Sequence, residues 1–204
     1  MTTKIKSTKI KSTKVKSTKM ESEKKTKEAQ SIKKVTSKVS PKVKPKELTE
    51  PTLGKVIGKM NLPMTGGKNF NFKEYLGKRV VLFFYPKDMT PGCTIEGHEF
   101  TQLVAEFKKL NTVVLGISRD TVDKHEKFIA KENYKIELVS DADETACEWF
   151  DVIKEKNMYG KKVMGIERST FIIGTDGKVE HAWRKVKAEG HAAEVLAFVK
   201  AIKN

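Results

Sequence analysis

The chain has 204 residues, of which 38% are hydrophobic and 33% are charged, and its formal net charge is +15. Its two cysteines are too few for a disulfide-stapled secreted scaffold, and no window approaches the roughly 18 apolar residues of a membrane span. No apolar segment follows the N-terminus to suggest a secretory signal, so we expect a cytoplasmic protein with one ordinary domain and an appendage.

The appendage is a basic segment over residues 1–50, which holds 16 Lys and 5 Glu and so has a net charge of +11. A Lys-Ile-Lys-Ser-Thr unit repeats through residues 1–20, and its odd period puts no apolar stripe on a helix or a strand. We predict a disordered tail over 1–50 and a folded domain over 51–204. The tail is either a solvated extension or a weak, non-specific contact for nucleic acid or anionic surfaces.

Strands and helices alternate along the folded part. Apolar runs rich in β-branched and aromatic residues predict buried strands, and 3–4 spacing of apolar residues predicts helices. In chain order, these are a strand at 80–85, a helix at 94–110, a strand at 112–118, a helix at 121–133 capped by Asp120, a short strand at 136–139 and a short helix at 143–150. A hairpin of strands 169–174 and 178–183 and a helix at 191–203 complete an α/β fold with helices on both faces of the sheet.

Cys93 stands where the first buried strand gives way to a helix, at the end of Pro86-Lys87-Asp88-Met89-Thr90-Pro91-Gly92-Cys93. A thiol at a helix N-terminus lies in the positive end of the backbone dipole, which favours the reactive thiolate. Chemistry in open α/β sheets gathers at the carboxyl ends of strands. The sequence therefore indicates a reactive sulfur at residue 93.

Two separate motifs resemble those of the peroxiredoxins, in the alkyl hydroperoxide reductase/thiol-specific antioxidant family. Pro86-x-x-x-Thr90-x-x-Cys93 resembles their active-site loop, and Glu167-Arg168-Ser169-Thr170-Phe171 resembles their downstream arginine segment. The longer contexts, from Phe84 to Thr94 and from Tyr159 to Phe171, are similar to the bacterioferritin-comigratory (Q-type) branch. The resemblance covers roughly residues 50–204 and leaves the tail out.

The resemblance implies a thioredoxin-like fold and the reduction of hydrogen peroxide or organic hydroperoxides. Cys93 would be the peroxidatic cysteine, and Thr90 the hydroxyl that bonds the thiolate and the peroxide. Pro86 would shield and shape the pocket, and Arg168 would be the cation beside the sulfur. A permanent cation with several donors suits charge that builds on a leaving oxygen. No cofactor is implied, and the histidine spacings predict no metal site.

One position departs from the branch, whose members often carry a resolving cysteine five residues after the peroxidatic one. That position is His98 here, and the only other cysteine, Cys147, has the neighbours of a buried structural thiol. We therefore predict a one-cysteine enzyme, monomeric or weakly dimeric, that is reduced by an external thiol such as thioredoxin, glutaredoxin or glutathione. A resolving role for Cys147 stays open.

Two other functions compete with this interpretation. A thiol–disulfide exchange enzyme would use Cys-x-x-Cys, but the residue three positions after Cys93 is Glu96. A redox-sensing or nucleic-acid-associated protein would depend on the basic tail, and its DNA binding would weaken steeply with salt.

Overall fold

The structure is a computed structural model that describes residues 52–158 and 160–202, so the predicted tail over 1–50 lies outside the described residues. Its strands are β1 (Leu62–Met64), β2 (Lys68–Phe70), β3 (Arg79–Phe84), β4 (Thr112–Ser118), β5 (Glu137–Ser140), β6 (Ile153–Met158), β7 (Lys161–Ile166), β8 (Ser169–Ile173) and β9 (Val179–Trp183). Its helices are a 3₁₀ helix (Phe72–Tyr75), α1 (Pro91–Lys109), α2 (Val122–Glu132), α3 (Thr145–Trp149) and α4 (His191–Ala201).

Seven of the described strands form one mixed sheet in the order β2-β1-β5-β4-β3-β8-β9. The central strands β3, β4 and β5 are parallel, and β8 returns antiparallel beside β3. Strands β6 and β7 form a separate antiparallel hairpin. The prediction of an α/β sheet is confirmed, with each predicted strand found within two residues of its expected bounds.

Helices cover both faces of the large sheet, as predicted. Along β3, alternate residues point to opposite faces. Val80, Leu82 and Phe84 pack in one buried cluster with the 3₁₀ helix and α3. Val81, Phe83 and Tyr85 pack in another with α1, α2 and α4. The two clusters are therefore separate cores, divided by the sheet.

Strand register brings two distant segments of the chain together. Phe84, the last residue of β3, pairs with Ser169, the first residue of β8. The residues that follow β3 and the residue that precedes β8 therefore lie at the same edge of the sheet. This edge carries Cys93 from one segment and Arg168 from the other.

Three features differ from the sequence prediction. Strands β1 and β2 and the hairpin β6–β7 were not predicted. Helix α1 begins at Pro91 rather than at residue 94, because proline is well suited to the first helical turn. The prediction that Asp120 caps α2 is wrong: the N-cap is Thr121, and the Asp120 carboxylate accepts hydrogen bonds from the Asp88 amide and the Ser118 hydroxyl.

No helix in the ranges 52–158 and 160–202 has the length and apolar character needed to cross a membrane.

Candidate active site

Cys93 lies in the first turn of α1 and is almost fully buried, with 3% of its surface exposed. Pro91 and Gly92 precede it in the helix, and Thr90 is the N-cap. The unpaired amides and the dipole at this helix end interact favourably with a negatively charged sulfur. The predicted position of Cys93 at a helix N-terminus is confirmed, and its reactivity stays a prediction.

Arg168 supplies the cation beside this sulfur. Its Nη2 donates a hydrogen bond to Cys93 Sγ over 3.3 Å. The backbone at Gly92 leaves room for the guanidinium, since a Cβ built there would lie 3.3 Å from Nη2. The structure therefore brings together the two residues whose charges would do the chemistry, although they are 75 positions apart in the sequence.

Glu96 holds the other side of the same guanidinium and was missed as a site residue by the sequence analysis. Its Oε2 accepts a hydrogen bond from Arg168 Nη1, and its side chain is fully buried. Two different nitrogens of one rigid plane thus bind Glu96 and Cys93, which fixes the orientation of the cation. The only signal in the sequence was that an acid stood where an exchange enzyme would have its second cysteine.

Burial raises the pKa of the Glu96 carboxyl from its ordinary 4.5 to about 7, against the opposing effect of Arg168. The pKa of Glu96 is higher in the folded than in the unfolded protein, so the free energy of unfolding falls as the pH rises from about 4.5 to 7. Above about pH 7, Glu96 causes no further loss of stability. This loss is on the order of 3 kcal/mol.

We expect Glu96→Gln to lack this contribution, so its free energy of unfolding should fall less between pH 5 and pH 8 than that of the wild type. Urea unfolding at both pH values measures the difference. Parallel pH dependence in the two proteins would contradict the assignment of a raised pKa to Glu96.

Thr90 and Pro86 lie in the loop between β3 and α1, but neither has a described hydrogen bond to the sulfur. Thr90 Oγ1 donates to the Lys87 carbonyl over 3.0 Å, and no side-chain capping bond is formed. Pro86 is partly buried. Their roles toward the peroxide stay predictions.

Cys147 lies on the opposite face of the sheet from Cys93. It belongs to the core that contains α3, whereas Cys93 belongs to the core that contains α1. Burial raises the pKa of the Cys147 thiol well above its ordinary value, and the nearby Asp141 carboxylate adds to this effect. Both cysteines are free, and Cys147 has the environment of a structural thiol.

His98 occupies the position of the missing resolving cysteine and is tied to α2. Its Nε2 lies 3.0 Å from Glu132 Oε2, and its ring contacts Tyr134 edge to face. Tyr134 in turn donates a hydrogen bond to the Thr94 carbonyl. The His98 side chain is thus half-exposed and paired with Glu132.

A buried thiol that accepts a hydrogen bond from an arginine, at the carboxyl edge of a parallel strand in a mixed α/β sheet, is an arrangement that suits a thiol-dependent peroxidase. Similar proteins agree with this class. Residues 53–182 match the model of the AhpC/TSA family. Peroxiredoxin Bcp of Xanthomonas campestris is 54% identical over 69% of this chain and 88% of its own length. Peroxiredoxin Bcp of Bacillus subtilis is 43% identical over 72% and 94%.

The chain is also similar, with a TM-score of 0.67, to a solved structure of the bacterioferritin comigratory protein of Xanthomonas campestris. That structure comes from work on the alkyl peroxide reduction activity of that protein and on its trapped intermediate and ligand complexes. It is 52% identical and covers 70% of this chain and 90% of that one. The chain belongs to the AhpC/TSA family, in the bacterioferritin-comigratory branch of the peroxiredoxins. The predicted thioredoxin-like fold is confirmed by the same likeness.

Proposed function

We propose that the protein reduces hydrogen peroxide and organic hydroperoxides by a one-cysteine cycle at Cys93. The observation that carries the proposal is the hydrogen bond from Arg168 Nη2 to Cys93 Sγ at the N-terminus of α1. The relative in Xanthomonas campestris, linked to alkyl peroxide reduction, supports the choice of substrate class.

The reaction has two halves. The Cys93 thiolate attacks one peroxide oxygen, the O–O bond breaks, and the other oxygen leaves with a proton as water or alcohol. Arg168 stabilises the charge that builds on the oxygens, and the Thr90 hydroxyl would orient the peroxide. The sulfenic acid on Cys93 is then attacked by one external thiol with loss of water, and a second thiol releases Cys93 by forming a disulfide with the first.

Two observations support the absence of an internal disulfide in this cycle. The usual resolving position is His98, which is paired with Glu132. Cys147, the remaining cysteine, lies in the core on the other face of the sheet. A bridge between Cys93 and Cys147 would have to form between two buried side chains that lie in different cores.

The one-cysteine cycle predicts a specific product after oxidation. Treatment with one equivalent of peroxide should give Cys93 sulfenic acid and no intramolecular disulfide. Non-reducing mass spectrometry, with the sulfenic acid trapped by dimedone, detects both species. A stoichiometric Cys93–Cys147 disulfide would overturn the one-cysteine proposal and leave the peroxidase proposal intact.

The Cys93 sulfenic acid can be reduced by any accessible thiol, so its chemistry alone does not select one reductant. Thioredoxin, glutaredoxin and glutathione should therefore be compared as reductants of the oxidised protein. A peroxide-consumption assay with each in turn gives the preferred reductant. Action as a monomer or weak dimer in the cytoplasm is part of the same proposal.

The basic tail supports a second activity that is independent of the site. Its net charge of +11 over residues 1–50 favours weak contact with nucleic acid or anionic surfaces. Binding to DNA that falls steeply with salt and disappears when residues 1–50 are deleted would support it. Peroxidase activity should be retained in that deletion, because the site lies wholly in the folded part.

A further inference from the structure

A buried polar cluster lies beneath the loop of residues 86–90 that leads into the active site. The Asp88 side chain accepts a hydrogen bond from the Tyr85 hydroxyl over 2.7 Å, and its other oxygen lies 2.8 Å from His125 Nδ1. His125 Nε2 lies 3.2 Å from the Val139 carbonyl. The Asp88 amide donates to Asp120 over 2.9 Å. The cluster thus joins the loop to α2 and to the ends of the parallel strands.

Both ring nitrogens of His125 have polar partners in the core. A carbonyl can only accept, so Nε2 must carry a proton for Val139. Nδ1 lies within hydrogen-bond distance of the Asp88 carboxyl and 3.4 Å from the Tyr85 hydroxyl. The Tyr85 hydroxyl supplies its own proton to the second Asp88 oxygen. Asp88 and His125 are therefore each held by more than one polar contact.

Such a cluster does little for stability by itself, because a buried pair is worth about as much as apolar residues of the same size. Its effect is on geometry. His125 is fully buried and the Asp88 side chain is 4% exposed, so neither can move without leaving the other unpaired in the core. Asp88 is therefore held at one place, by both its side chain and its backbone.

The loop needs such an anchor because its next residue is strained. Met89 has a φ of 58°, a left-handed conformation that is uncommon for residues other than glycine. Its side chain is exposed, so core packing does not secure that conformation. Thr90 follows directly and is the N-cap of α1. The placement of Thr90 and Cys93 thus depends on how firmly Asp88 is held.

We propose that His125, with Tyr85, acts as a positioning residue for peroxide reduction by fixing Asp88 and through it the loop that carries Thr90. This inference rests on the proposed peroxidase function. The cluster acts on the placement of the loop hydroxyl relative to the peroxide. Its action is therefore distinct from that of Arg168 and the end of α1, which face the Cys93 sulfur directly.

Two substitutions of His125 separate its two contacts. In His125→Asn the amide nitrogen takes the place of Nδ1 and can still donate to Asp88. In His125→Gln the amide nitrogen takes the place of Nε2 and can reach only the Val139 carbonyl. Both variants replace the ring by an amide, so each is the control for the other in polarity, and the Gln side chain is the larger by one methylene.

We expect His125→Gln to lower the second-order rate constant for peroxide by about tenfold, while the alkylation rate of Cys93 by iodoacetamide changes by less than about twofold. Alkylation needs the thiolate but no hydroxyl that orients a leaving oxygen. Amide hydrogen exchange over residues 86–90 should be faster in this variant. His125→Asn should keep the peroxide rate constant within about threefold and keep the exchange protection.

Equal behaviour of the two variants, or an unchanged peroxide rate constant in His125→Gln, would overturn the proposal. A parallel fall of alkylation and peroxide reduction would overturn it too, because the cluster would then act on the sulfur itself. Should His125→Gln fail to fold, Tyr85→Phe removes a single donor at constant shape, and we expect about a threefold slower peroxide reaction with normal alkylation. A wild-type protein that consumes no peroxide would contradict the proposed function instead, and hydrogen exchange would still test the cluster.

Discussion

Replacement of Cys93 by serine should lower peroxide reduction by at least about a thousandfold, to the level of the reaction without enzyme. A serine hydroxyl stays protonated near neutral pH, so the helix N-terminus and Arg168 have no anionic nucleophile to stabilise. The side chain differs by one atom, and the buried position accepts it without a change of volume that would disturb α1. Stopped-flow measurement of peroxide consumption, with circular dichroism to check the fold, tests this expectation.

The matched control is Cys147→Ala. Cys147 lies in the other core, and its thiol takes no part in the proposed cycle, so this variant should consume peroxide at the wild-type rate. It should lose about 1 kcal/mol or somewhat more of stability, because a small cavity replaces the sulfur. Substantial activity in Cys93→Ser would contradict the role of Cys93 as the nucleophile. Loss of activity in Cys147→Ala would instead show that the cycle needs Cys147.

The elements that the sequence predicts well are those whose burial shows in a local pattern. Strand β4 is buried at every residue except the partly buried Val113, and its predicted bounds, 112–118, are those observed. Strand β7 exposes its first four residues, and its partner β6 is largely polar. No apolar run or alternation marks that hairpin, because its strands pair with each other outside the large sheet.

The residues of the candidate site likewise differ in how far the local sequence predicts them. Cys93 can be found from the sequence because a strand, a loop and a helix start are local features. Arg168 is identified by resemblance, and the register of β3 with β8 explains why it lies beside Cys93. Glu96 and His125 depend on partners 72 and 37 residues away, so their local sequence reads as an ordinary helix face. Only the tertiary structure shows that these polar side chains are buried.

Replacement of Arg168 by alanine should slow peroxide reduction by about 100- to 1000-fold. The guanidinium is the cation hydrogen-bonded to Cys93 Sγ, and the same donors would meet the charge that develops on the peroxide oxygens. Arg168→Lys should recover only part of the rate, because an ammonium group cannot hold Glu96 and Cys93 through two nitrogens of one plane. A near-normal rate constant in Arg168→Ala would contradict this role.

The stability of Arg168→Ala distinguishes a chemical role from a structural one. Removal of one partner of a buried ion pair often costs about 3–5 kcal/mol, because a lone charge stays behind. Arg168 lowers the pKa of Glu96, which is nonetheless about 7, so in the variant this pKa rises further and Glu96 takes up a proton near neutral pH. The variant should therefore unfold less readily at pH 6 than at pH 8.

Addition of Glu96→Gln to Arg168→Ala should remove that pH dependence and restore stability at pH 8, while peroxide reduction stays slow. If the double variant also regained activity, Arg168 would serve only to neutralise Glu96.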